Sequence, residues 1–140
     1  MSSNQAMTIS EFRERFDFAK RKSDVEHVLN NSKFKGKVPI LIFRASNNHT
    51  LEALDKIKYC VPVDQPFQFL AHKAIRKRLT LAPDVAMFCF VVKFTEGNET
   101  GAEAIAPSSD LIGKVYEEYK SDDGYLYVTY SGESTLGGNI

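Results

Sequence analysis

The stretch YLYVTYSGESTLGGNI, Tyr125 to Ile140, decides how this chain is read. Tyr125, Tyr127, Thr129 and Ser131 alternate with Leu126, Val128 and Tyr130, which predicts a strand with different side chains on its two faces. Gly132 ends it. The pair Gly137 and Gly138, followed only by Asn139 and Ile140, has no side chains to pack a core. It is slender enough to thread a narrow protease cleft or an adenylation site. A frayed terminus is the ordinary account of such an ending, so the rest of the chain has to discriminate.

Upstream, Ser121 to Gly124 (SDDG) reads as the turn into that strand. Leu111, Ile112, Val115, Tyr116 and Tyr119 mark a helix that Ser108, Ser109 or Asp110 can cap. Residues 95–103, TEGNETGAE, are acidic and lack an apolar anchor, which predicts a long mobile loop. Ala86 to Phe94 (AMFCFVVKF) reads as a central strand buried on both faces. Phe67, Leu70, Ala71, Ala74, Ile75 and Leu79 recur at helical spacing. Lys58 to Val63 (KYCVPV) is a second strand, with Pro62 pushing it toward an edge. Ser46 to His49 is a turn, and Val38 to Phe43 (VPILIF) is a continuous apolar strand.

Before it, Ser23 and Glu26 match a capping box for a short helix carrying Val25, Val28 and Leu29, ended by Asn30 and Asn31. Ile9, Phe12 and Phe16 give a first short helix its apolar stripe, and residues 1–8 are polar and expected to be disordered. The order is two short helices, then β-β-α-β-α-β. It predicts an α+β fold, a four-stranded mixed sheet around one main helix as in the β-grasp of ubiquitin, with a ferredoxin-like sandwich as the topological competitor. The domain is expected over residues 9–136, with 137–140 as a tail.

The 140 residues suit one domain and carry 18 basic and 18 acidic side chains. The balance is uneven: residues 1–45 net +4, 46–94 net +3 and 95–140 net −7. A basic side able to meet acidic peptides or lipid head groups follows. Zero total charge and the lack of an RNP-type aromatic pattern argue against nucleic acid. His27, His49 and His72 fall on different elements, with no HxxxH, GxSxG, CxxC or Gly-rich phosphate loop, so neither an enzyme, a metal site nor a cofactor site is indicated. His72, beside Lys73 and Arg76, reads as a solvated residue. Asp122 to Gly124 is a turn and not a calcium loop. Cys60 and Cys89 sit in apolar runs and read as buried, reduced thiols. No apolar run approaches the roughly 20 residues of a membrane span, and no signal-peptide pattern opens the chain, so a cytosolic location is expected. The basic runs are Lys20 to Lys22 and Arg76 to Arg78.

The segments FAKRKSDVEHV (Phe18 to Val28), KVPILI (Lys37 to Ile42), LDKIKYCVPVD (Leu54 to Asp64), AIRKRL (Ala74 to Leu79), MFCFV (Met87 to Val91) and VYEEYKSDDGYLYVTYSGESTLG (Val115 to Gly137) are closely similar to those of one family. They resemble the autophagy ubiquitin-like modifiers, the relatives of GABA-receptor-associated protein, over about residues 12–137. The resemblance implies the β-grasp with two N-terminal helices. It also implies cleavage by a C-terminal processing cysteine protease, then E1-like, E2-like and scaffold-assisted transfer to phosphatidylethanolamine on the autophagosome membrane. The family register places the conjugated glycine at Gly137, with Gly138 as the alternative. A non-conjugated adaptor of the same fold is the competing function.

The same resemblance implies that short aromatic-x-x-aliphatic motifs of cargo receptors add to the edge of the second strand. Asp24, Val28, Pro39, Leu41, Lys58 and Tyr125 match the aromatic pocket. Tyr59, Val61, Pro62, Phe67, Leu70 and Ile75 match the aliphatic one. Lys58, Arg76 and Arg78 are positioned by the resemblance to attract flanking acidic residues. Cys60 replaces a larger aliphatic residue usual in the family, which alters the pocket edge. One extra residue lies between Pro62 and Arg76, about ten between Val91 and Pro107, and about two between Val28 and Val38.

Overall fold

The computed structural model describes residues 7–46 and 50–132. Of the predicted turn at Ser46 to His49, all but Ser46 lies outside the described residues, as do the glycines Gly137 and Gly138. Helix α1 (Ile9–Arg15) opens on a capping box in which the Thr8 hydroxyl accepts from the Glu11 N–H and the Glu11 carboxylate accepts from the Thr8 N–H. Thr8, grouped in sequence with the leading polar residues, therefore belongs to the fold. Helix α2 (Phe18–Asn30) starts five residues before the expected Ser23: Asp17 is its N-cap and accepts from the Lys20 N–H. Ser23 and Glu26 lie inside it, because Asp17 supplies the same capping chemistry earlier.

A single 3-10 turn, Ser32–Phe34, leads to β1 (Lys37–Arg44) and then β2 (Lys58–Pro62). Helix α3, residues 67–79, is continuous but not uniform. Its ends, Phe67–Phe69 and Lys77–Leu79, are α-helical, whereas Leu70–Arg76 is π-helical. A π turn holds an extra residue within a helix, and it falls where the sequence carries one residue more than its family pattern. Thr80, in the left-handed region at φ 55°, ends the helix. β3 (Phe88–Lys93), β4 (Ala102–Ile105), α4 (Ile112–Tyr119) and β5 (Leu126–Ser131) complete the chain.

The sheet has five strands in the order β2-β1-β5-β3-β4, with β1 parallel to β5 and the other neighbours antiparallel. The four-stranded expectation is corrected by β4: Ala102–Ile105 pairs with β3, so the loop expected over residues 95–103 gives way to a strand at Ala102. That stretch, AEAI, is four residues long with Ile105 as its one large apolar side chain, so its pairing comes from β3 and not from its own propensity. The helix after it is also capped differently. Leu111 is the N-cap without a side-chain bond, and 51% of it is exposed, while the Asp110 carbonyl accepts from the Phe67 N–H. The arrangement is the ubiquitin-like β-grasp of α+β class.

Alternation along the strands divides the interior into two layers. On the α3 and α4 side lie Ile40, Ile42, Tyr59, Val61, Leu70, Ile75, Ile112, Leu126 and Val128 in one apolar cluster. Each fully buried aliphatic side chain there contributes about 1.5–3 kcal/mol. On the other side, Leu41, Phe43, Val92, Tyr125 and Tyr127 pack against Ile9, Phe12 and Val25 of the N-terminal helices.

That second layer holds a buried charge. Asp123 Oδ2 accepts from Arg21 Nε at 2.8 Å and from the Tyr127 hydroxyl at 2.6 Å, and Asp123 Oδ1 accepts from the Tyr125 N–H. Arg13 reaches the same carboxylate at 3.5 Å and stacks on Phe94, its Cζ 3.9 Å from the ring centre. Arg21 also donates to the carbonyls of Arg13 and Phe16, so one guanidinium ties α1, α2 and the β5 turn together. The turn at Asp122 to Gly124 is as predicted, but its second aspartate is a keystone of the fold. Gly124 has φ +93°, and a Cβ there would come 2.7 Å from Val25 Cγ1, so only glycine lets α2 approach.

Candidate functional site

Strand β2 is an open edge. Gly36 pairs with Val63 and Ile42 with Ile57 through Val63 N–H to Gly36 O and Ile42 N–H to Ile57 O. With the register Pro39↔Cys60 and Leu41↔Lys58, the alternation of an antiparallel ladder turns Tyr59 and Val61 toward β1. Lys58, Cys60 and Pro62 therefore present their backbone groups outward. Proline has no N–H, so the edge offers donors at Lys58 and Cys60 and carbonyls at all three. Pro39 lies just before β1 begins to pair with β5 at Ile40, so its missing N–H leaves no ladder bond unmade.

Two walls rise beside this edge, one from each face of the sheet. On the α2 side stand Asp24 and Val28, both half-buried, with Pro39, Cys60 and, beneath them, Leu41 and Tyr125. Lys58 Nζ is 3.7 Å from Asp24 and 5.7 Å from the centre of the Phe16 ring, and Lys20 pairs with Asp24 at 3.0 Å. Burial first, then the Asp24 carboxylate, raises the Tyr125 hydroxyl well above its ordinary range. On the α3 side, Tyr59 and Val61 pack with Phe67, Leu70 and Ile75, and Pro62 is half-exposed at the rim. Burial pushes the Tyr59 hydroxyl up to about 12, opposed by the nearby Arg78 guanidinium.

The structure thus brings every described residue of the two predicted pockets to β2 or its flanks, but in two depths. Asp24, Val28, Lys58, Cys60, Pro62 and Arg78 are accessible. Leu41, Leu70 and Ile75 have no exposed surface and Phe67 only 1%, so they form a floor and not a contact surface. Arg76 donates through one guanidinium nitrogen to the carbonyls of Ala82 and Pro83 and so ties down the turn after α3 while keeping its charge. Arg78 lies 3.4 Å from Asp55 and over the Tyr59 ring. Sequence reading missed Asp55 as the partner of Arg78, and missed Leu54, Val63 and Leu79 against the aliphatic cluster. The helical spacing of Leu79 carried a signal, but the loop residue Leu54 had none.

Cys60 and Cys89 are free; each residue keeps some exposed surface, but the Cys89 thiol itself is turned inward, as expected. Burial raises both thiols, Cys89 up to about 12. His27 and His72 are exposed. Among the described residues no group of His, Cys, Asp and Glu side chains could hold a metal ion, and no helix is long and apolar enough to cross a membrane.

A β-grasp whose outer strand is open between two apolar walls defines a ubiquitin-like protein. Residues 20–137 match the family model described as "Autophagy protein Atg8 ubiquitin like". The chain is 38% identical to autophagy-related protein 8 of Candida glabrata over 128 residues, 91% of this chain and 97% of the relative. It is 35% identical to the same-named proteins of Colletotrichum lindemuthianum, over 92% of this chain and 95% of the relative, and of Schizosaccharomyces pombe, over 91% and 94%. The chain belongs to the Atg8 family of autophagy ubiquitin-like proteins.

Proposed function

We propose that this chain is a modifier and not an enzyme, one that is cut after Gly137, or after Gly138, by a processing cysteine protease. E1-like and E2-like enzymes then join it to phosphatidylethanolamine, moving it from the cytoplasm to the autophagosome membrane. There it docks cargo receptors through short acidic aromatic-x-x-aliphatic motifs. The observation that carries the docking part is the open β2 edge with an apolar wall on each face. Residues three apart in an added strand point to opposite faces. An aromatic side chain can therefore enter the α2 wall while an aliphatic one three residues later enters the α3 wall. The spacing of the motif is the parity of a strand.

The counter-charges fit the same reading. Lys58 and Arg78 are held at the surface by Asp24 and Asp55, and exposed pairs of this kind are worth about 0–1 kcal/mol. Acidic residues of a peptide can replace those partners at little cost. Glycine at the C-terminal carboxyl suits adenylation, thioester transfer and amide formation, each of which needs an uncrowded carbonyl carbon.

Two measurements test this. Intact mass of the protein recovered from cells is expected to show loss of residues 138–140 or 139–140; an unshortened chain throughout would leave the adaptor reading in its place. Calorimetry with an acidic aromatic-x-x-aliphatic peptide is expected to give a Kd on the order of micromolar. Lys58→Glu should weaken it about tenfold through charge reversal, about 1.4 kcal/mol. Equal affinity in the two proteins would move the peptide off β2.

A further inference from the structure

Of the five tyrosines that the fold buries, four commit the hydroxyl to a partner in the protein. Tyr59 donates to the Lys56 carbonyl at 2.7 Å, and Tyr116, Tyr127 and Tyr130 donate at 2.6 Å to the Gly124 carbonyl, the Asp123 carboxylate and the Glu52 carbonyl. Tyr125 is set as deeply, only 3% exposed, yet its hydroxyl meets no hydrogen-bonding partner among the described residues; the bond that Tyr125 donates comes from its backbone N–H, to Asp123. A covered tyrosine hydroxyl ordinarily has a partner. This one is left free to meet something else.

Its place in the sheet says what. Cys60 pairs with Pro39, and Leu126 with Ile40, so one step back along the parallel pair Tyr125 stands beside Pro39. Cys60, Pro39 and Tyr125 thus form a row across β2, β1 and the start of β5, on the face that α2 covers with Asp24 and Val28. Phe12 closes the inner side of the Tyr125 ring edge-on, with the centroids 6.2 Å apart. After burial, the Asp24 and Asp123 carboxylates and Cys60 hold the proton on the hydroxyl, which sets that oxygen at the base of the α2 wall. The wall therefore offers an acceptor, the Asp24 carboxylate, beside a hydroxyl with nothing yet to bond, and the short Cys60 side chain takes up little of the space at the edge. A side chain that answers both must accept and donate at once. A phenol does so, an indole N–H only donates, and a phenyl ring does neither.

We propose that Tyr125 is a specificity-determining residue of the α2 wall, its hydroxyl donating to the hydroxyl of a tyrosine in the bound peptide, which donates in turn to Asp24. The β2 edge then selects tyrosine over phenylalanine at the aromatic position. This selection rests on the peptide docking proposed above.

The test is calorimetry with two acidic aromatic-x-x-aliphatic peptides, identical except for tyrosine or phenylalanine at the aromatic position, on the 140-residue chain and on Tyr125→Phe. The variant keeps the ring that packs against Phe12 and Tyr127, so its melting temperature should match that of the parent. A clearly lower one would show that the hydroxyl already has a partner in the fold, and would overturn the inference. The parent should bind the tyrosine peptide about fivefold more tightly, the effect of one hydrogen bond. Tyr125→Phe should bring that ratio to about one and leave the affinity for the phenylalanine peptide where it was. Equal binding of the two peptides by the parent, or a preference that survives in Tyr125→Phe, overturns the selection while the docking stands. Failure of both peptides to bind overturns the docking and the selection with it.

Discussion

The two layers that flank the sheet are closed by different physics. Under α3 and α4 the contacts are apolar throughout, with Ile40, Leu70, Ile75, Ile112 and Leu126 fully buried. Under α1 and α2 the aromatic packing of Phe12, Phe43, Tyr125 and Tyr127 surrounds a carboxylate and two guanidiniums. Hydrophobic contact is tolerant of small shifts, because it depends on area. A buried ion pair is not, since either partner alone is left charged in a poor solvent. The first layer therefore sets how stable the β-grasp is, and the second sets where the N-terminal helices sit on it. That placement matters for the β2 edge, because Asp24 and Val28 reach it only if α2 is seated.

Removal of Asp123 should strain this comparison most. Asp123→Ala is expected to cost about 3–5 kcal/mol, the penalty for leaving Arg21 buried without its partner. Hydrogen exchange should show protection lost first in α1 and α2, and uniform loss over both layers would mean that they do not open separately. Leu70→Ala comes next, at about 2–5 kcal/mol for a buried leucine. In chemical denaturation it should lower the midpoint of the whole sheet, with no preferential release of α1 and α2.

A gentler effect, spread over a range of pH, comes from the hydroxyls and thiol that burial holds protonated. Tyr59, Tyr116 and Tyr130 are raised from 10.0 to about 12, and Cys89 from 9.0 to about 12. The folded chain keeps these protons to higher pH than the unfolded chain does, so their contribution is complete below pH 9 and is lost as pH rises to about 12. Urea midpoints measured from pH 8 to 12 should fall, and a flat profile would refute the burial of these groups. The smallest change is Thr8→Ala, which should cost about 1 kcal/mol through the lost cap and raise amide exchange in α1 alone.

Local periodicity made most of the architecture legible. VPILIF announced β1, the apolar spacing of Phe67 to Leu79 announced α3, and Pro62 announced an edge, and each of these signals is local. What stayed hidden depends on partners distant in sequence. β4 exists because β3 offers it a ladder, and Asp123 is buried because Arg13 and Arg21 approach from more than a hundred residues away. The candidate site divided in the same manner. Lys58, Cys60 and Val61 could be placed from their strand, whereas the diversion of Arg76 to the Ala82 carbonyl required the fold of the following turn. The resemblance supplied the pocket residues but not their depth.

The π-helical turn of α3 makes chain length adjustable within a helix. An insertion in an α-helix ordinarily rotates everything beyond it by about 100°, which would carry buried residues out to solvent. Here Phe67 before the π segment and Leu70 and Ile75 within it all remain buried, so the extra residue is absorbed as a wider turn and not passed along the chain. Deleting one residue between Leu70 and Arg76 is then a repair of pitch and not a loss of a turn. The wall beside β2 can therefore change its length by one residue, as well as its side chains, while keeping one core.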